Sequence, residues 1–171
     1  MLFNTQETLK DFLTGKGVNH KGLSIQDILD FDNDRLESEH DYIQWLFPTI
    51  ERSKSHPLSP VVKDIGYFFS DYSEGLYIHG YMNKSFNKML IFYGFSVIGN
   101  DIVFNENLNH NWITKHNHNY LRITRILKSL RLFGLDNEAV RFYRALTSLE
   151  PKYKEIIGEK SYKYWYDAIH N

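Results

Sequence analysis

The stretch Tyr120-Leu121-Arg122-Ile123-Thr124-Arg125-Ile126-Leu127-Lys128-Ser129-Leu130-Arg131-Leu132-Phe133, closed by Gly134, decides the fold class. At 100° per residue, Tyr120, Ile123, Ile126, Leu127, Leu130 and Phe133 fall on one broad apolar face. Leu121 and Leu132 lie on the opposite side. Asn117 or Asn119 can accept first-turn amides as a cap, and Gly134 can take the left-handed conformation that ends a helix. A helix apolar on two sides belongs at the centre of a fold, covered by its neighbours.

Working outward, most of the remaining segments also carry helical signals. Residues 5–13 form a stripe from Leu9, Phe12 and Leu13, with Asn4 as cap and Glu7 three residues on. Ser24 and Asp27 have capping-box spacing ahead of a short helix to Leu29. The next helix is expected over 33–46, ending before Pro48. Its stripe would hold Leu36, Ile43 and Phe47, with His40 and Gln44 in the same sector. Residues 53–60 hold two prolines and three serines and read as a loop. Helices are expected over 61–69 and 74–93, the second with Ile78, Met82, Phe86, Met89 and Tyr93 in helical period. Asp136 caps a further helix to Leu149, and residues 153–169 are helical in character. Strand signals are confined to 95–104, where Val97, Ile98, Ile102 and Val103 flank Gly99-Asn100-Asp101. The expectation is an all-α fold: one compact multi-helix domain over 1–171, with at most a small hairpin near 95–104.

A chain of 171 residues suffices for one domain that buries roughly two-thirds of its unfolded surface. Twelve Tyr, twelve Phe and three Trp imply a core built from large rings, whose hydroxyls and indole N–H groups need acceptors or solvent. The absence of cysteine excludes disulfides, thiolate catalysis and cysteine-based zinc sites. Met1-Leu2-Phe3-Asn4-Thr5 lacks a basic region followed by an apolar run, and no apolar stretch approaches the ~20 residues of a membrane span. An intracellular, cytoplasmic location is expected.

Charge is uneven. Residues 26–51 carry eight acids against Arg35 alone. Residues 107–135 carry Lys115, Arg122, Arg125, Lys128 and Arg131 and no acid. The two regions can neutralise each other, or the basic one can receive an acidic partner. A pI near 6.7 argues against nucleic acid.

Four constellations could carry chemistry. His40 and Asp41 are adjacent, but neighbours on a helix point about 100° apart, which favours a hydrogen-bonded core histidine with Gln44 as partner. His110, His116 and His118 supply imidazoles in no recognised metal spacing, so no metal and no cofactor is expected. Arg122 and Arg125 border the apolar faces of their helix; a partly buried guanidinium there seeks a carboxylate, a carbonyl or an anion. On a continuous helix, Asp41 and Trp45 share a face beside Tyr42, and a carboxylate beside an indole can receive a cation or peptide amine. Phosphate-loop, dinucleotide, nucleophile-elbow and zincin signatures are absent.

Two blocks exceed generic helix: His40-Asp41-Tyr42-Ile43-Gln44-Trp45-Leu46-Phe47-Pro48, and His118-Asn119-Tyr120-Leu121-Arg122-Ile123-Thr124-Arg125-Ile126-Leu127-Lys128-Ser129-Leu130 with Gly134-Leu135 following. Met89-Leu90-Ile91-Phe92-Tyr93-Gly94 lies between them. In this order they resemble the conserved N-terminal region of the opioid growth factor receptor family, over about 12–149, with 151–171 as a helical extension. The resemblance implies a helical domain without established enzymatic activity, linked to binding the opioid peptide methionine-enkephalin. It marks His40, Gln44, Pro48, His118 and Asn119 as structural motif residues. Animal members are associated with the nucleus and carry further C-terminal repeats and basic signals; this chain has no such run.

The function expected is therefore a non-catalytic peptide- or protein-binding module. Asp41, Tyr42, Trp45, Arg122 and Arg125 are its candidate ligand contacts. The alternatives are an enzyme with a histidine-based site and a nucleic-acid-binding helix.

Overall fold

The computed structural model describes residues 5–171. Its described residues form ten helices and one two-stranded antiparallel sheet. The helical expectation, including the hairpin near 95–104, holds. The chain divides into two compact units, one ending at Phe86 and one from Asn87 to Asn171. The capping assigned to Asn4 lies outside the described residues.

The first unit contains α1 (Gln6–Leu13), α2 (Ile25–Leu29), α3 (Asn33–Ser38), α4 (Ile43–Leu46) and α5 (Ile65–Phe68). It also holds most of α6 (Tyr72–Phe92). The Thr5 side chain caps α1, and the Ser24–Asp27 capping box forms as its spacing requires. Asp32 caps α3, so with Asp27 part of the acidic run serves helix N-termini, and Asp64 caps α5. Leu9, Phe12, Ile43 and Trp45 are buried, with the Phe12 and Trp45 rings edge-to-face at 5.2 Å.

Two helices are shorter than their patterns suggest. Residues 33–46 do not form one helix: the backbone is extended at Glu39, and α4 starts only at Ile43. Gln44 explains the break. Its amide nitrogen donates to the carbonyls of His40 and Asp41, at 3.2 and 3.1 Å, and its oxygen accepts from His56 Nδ1 at 3.2 Å. A side chain that satisfies those carbonyls replaces a helical turn. The apolar stripe therefore never reaches His40, which is exposed and not a core residue. Residues 61–63 are non-helical as well, because Gln6 pairs with the backbone there, donating to Val61 O and accepting from Lys63 N–H.

The second unit contains the end of α6, then β1 (Phe95–Ile98), β2 (Asp101–Phe104), α7 (Asn119–Leu132), α8 (Asp136–Thr147), α9 (Pro151–Ile157) and α10 (Glu159–His170). Gly94, at φ 83°, turns the chain from α6 into β1. A Cβ there would stand 2.7 Å from the Asn109 carbonyl oxygen, so only glycine fits. Phe95 pairs with Phe104 and Ile98 with Asp101. Gly99 at φ 62° is followed by an Asn100 outside the left-handed region, the pattern of a type II′ turn. Helix α7 packs against α8 and α10. Its own Tyr120 joins Tyr93, Trp112, Phe142 and Trp165 in the ring-built core the composition implied. Asp136 is the first residue of α8 and not its cap; it pairs with Arg131 at 3.4 Å.

Candidate functional site

Asp41 and Trp45 are linked in the first unit, by a route other than a shared helical face, while Tyr42 bonds elsewhere. Trp45 is fully buried, and its indole N–H donates to His20 Nδ1 at 3.1 Å. His20 Nε2 stands 3.0 Å from Asp41 Oδ2. An indole can only donate, so Nδ1 accepts and Nε2 carries the proton given to Asp41. His20 is thus the link between carboxylate and indole. Both ring nitrogens of His20 are thereby engaged inside the fold. Tyr42, 2% exposed, donates its hydroxyl to Leu36 O at 2.8 Å.

The Asp41 carboxylate also pairs with Lys21 Nζ at 2.9 Å, and Lys21 reaches Glu39 at 3.0 Å. Burial alone would raise the Asp41 carboxyl, but the Lys21 ammonium and the His20 N–H outweigh it and hold the group below its usual 3.8. The Asp41 hydrogen bond, then that of Glu39, raises the Lys21 ammonium. Of the three candidates, only Asp41 presents an atom near the surface; Tyr42 and Trp45 form the wall behind it.

Arg122 and Arg125 lie in the second unit. Arg122 is 5% exposed, and its Nη1 donates to Asn119 Oδ1 at 3.2 Å. The same oxygen accepts from the Tyr93 hydroxyl at 3.1 Å. Asn119 is fully buried, and its backbone N–H and Nδ2 both donate to Asn117 Oδ1. Asn117 therefore does the capping work at the start of α7, while Asn119 is the hub of a buried polar network. Arg125 is half-buried on the next turn. The α7 row is in this way partly structural, since a buried guanidinium is held by the groups it orients.

The three loop histidines do not converge. His110 packs between the rings of Phe104 and Tyr153, whereas His116 and His118 are exposed. Among the described residues, no group of three or more His, Asp or Glu is arranged to hold a metal ion.

A concave feature lies elsewhere in the second unit: an open groove of about 1030 Å³ between β2 and α8. Ile102, Val103, Val140 and Leu149 supply apolar surface; Arg141 and Arg144 supply positive charge, and Asp101, Glu106, Asp136, Glu138 and Glu150 supply carboxylates. At one end, the Tyr153 hydroxyl and then the Lys152 ammonium hold the Glu106 carboxyl below the usual carboxylate range. Their distances are 2.8 and 3.2 Å. Among the described residues neither Arg141 nor Arg144 forms an ion pair, and Arg141 Nε is buried without an acceptor. The arginines lie three apart on α8, a spacing visible in the sequence. That β2 would complete a groove with them was not visible, since the hairpin's packing is long-range.

The conserved region of the opioid growth factor receptor matches residues 4–171. The rat opioid growth factor receptor is 36% identical over 148 residues, covering 79% of this chain and 25% of the relative. The human receptor is 36% identical over 137 residues, covering 71% and 19%. Mouse opioid growth factor receptor-like protein 1 is 32% identical over 126 residues, covering 68% and 26%. The chain spans about a quarter or less of the length of these curated relatives. No solved structure matches it.

Proposed function

This chain belongs to the opioid growth factor receptor family, and from that premise we propose that it is a non-catalytic module binding a peptide or protein. The observation that carries the reading is the open groove between β2 and α8, with apolar walls and with Arg141 and Arg144, which form no ion pair among the described residues. Peptide sites combine these features: apolar contact gives affinity, and a few placed charges fix direction. Asp41, Tyr42 and Trp45, by their burial and internal hydrogen bonds, better fit the role of supports for the first unit's core than of ligand contacts. A helix that read nucleic acid would present its basic row to phosphates, whereas Arg122 is buried.

Affinity selection from a synthetic mixture of random hexapeptides with free C-termini, read by mass spectrometry, tests the reading. Enriched sequences are expected, with amide exchange slowed in residues 100–104 and 136–150. Recovery of none sinks the peptide form. Methionine-enkephalin in a calorimeter tests the narrower opioid form: heat at up to millimolar peptide is expected, and its absence removes that ligand alone.

A further inference from the structure

The groove touches every residue of β2 and no residue of β1. A groove so lined follows the outer edge of β2, away from its partner strand. The sheet has two strands only, and residues 101–104 make no backbone hydrogen bond outside the hairpin among the described residues. In an antiparallel pair, the groups of alternate residues point outward, so about two residues of this four-residue strand offer N–H and C=O groups to a third strand. Val103, 43% exposed, sits on the outer face beside that edge.

Across the groove, α8 supplies Arg141 and Arg144, like charges one turn apart. An unpaired guanidinium with a shielded, unsatisfied Nε is costly, and its fork geometry matches a carboxylate.

Resting on the peptide-binding reading above, we propose that the ligand enters as an extended segment adding a third strand to β2, with a carboxylate of the segment held by Arg141 and Arg144. The strand edge recognises main chain and gives affinity without sequence; the arginines set register and direction. Asp101, Glu106, Asp136, Glu138 and Glu150 also line the groove, so the segment carries its carboxylate only at the arginines and is otherwise neutral or positive. The carboxylate is that of a chain terminus or of an Asp or Glu side chain.

The test takes the hexapeptides enriched by the affinity selection and alters them one feature at a time, measuring Kd by fluorescence anisotropy on the full chain. Three changes are each expected to weaken binding about ten-fold or more. They are N-methylation of alternate backbone amides, neutralisation of the anchoring carboxylate, and Arg141→Gln in the protein. Amidating the C-terminus separates a terminal carboxylate from Asp→Asn or Glu→Gln changes in the peptide, and loss in either arm supports the proposal. Enriched peptides that tolerate both N-methylation and loss of all carboxylates overturn strand addition and leave peptide binding standing. Because those changes are made in the peptide, the result holds even if the Arg141 variant fails to fold. If no hexapeptide is enriched at all, the underlying peptide-binding reading fails and strand addition falls with it.

Discussion

At the scale of single residues, the fate of one indole proton links much of the first unit. Trp45 is buried among apolar groups, and His20 Nδ1 is the acceptor its N–H finds. Substituting His20→Ala leaves that donor buried and unpaired, so a loss of about 1–3 kcal/mol in unfolding free energy is expected in urea titrations. A change within error would show that the bond contributes nothing net. The neighbouring carboxylate predicts a pH dependence. Asp41 titrates below its ordinary 3.8 when folded, so its contribution is complete above 3.8 and disappears as pH falls through the lower folded value. Asp41→Asn keeps an acceptor for His20 but removes the charge. The fall of Tm with acidification below pH 3.8 should then be shallower than in the parent, and parallel curves would show that Asp41 is not held low. The adjacency of Asp41 and Trp45 in sequence was legible. His20, some twenty residues earlier, was not, because no local pattern marks a residue whose role is defined by contacts distant along the chain.

At the scale of elements, glycines inside α6 act in opposite ways. Gly80 is exposed in mid-helix, and a Cβ there would meet nothing within 4 Å. Gly80→Ala should therefore stabilise the protein by up to about 1 kcal/mol, as alanine removes backbone freedom from the unfolded chain. Gly75 is buried, and its Cβ would stand 3.0 Å from Phe69 Cδ1, so Gly75→Ala should lower Tm unless that ring yields. Thermal melts of both variants decide the matter, and equal shifts of the same sign would contradict the packing argument. Helix existence was legible wherever a cap and an apolar period coincided, as at Ser24–Asp27 and along 120–133. Periodicity failed at 39–42, where Gln44 binds the carbonyls that a helix would need. It also failed at 61–63, where Gln6 holds the non-helical backbone from a distance of more than fifty residues.

At the scale of the whole molecule, the boundary between the two compact units falls inside α6, which runs continuously from Tyr72 to Phe92. We propose that the chain nevertheless unfolds as one cooperative domain, since neither unit can lose its share of that helix without fraying the other's. Tryptophan fluorescence offers a direct check, because Trp45 reports the first unit and Trp112 and Trp165 the second. A Trp45→Phe variant and a Trp112→Phe/Trp165→Phe variant should show urea midpoints that coincide with far-UV circular dichroism. Midpoints separated between the two would establish independent domains.

The sequence alone determined the helical class, the ring-built core and the family, because caps, periods and motif blocks are written in neighbouring residues. Tertiary structure decided which charges are consumed inside the fold and which are left facing a groove. Asp41 and Arg122 are spent on His20, Lys21 and Asn119, whereas Arg141, beside the groove along β2, forms no ion pair among the described residues. The reason is physical: the partner of a charge is chosen by proximity in space, and long-range packing sets that proximity.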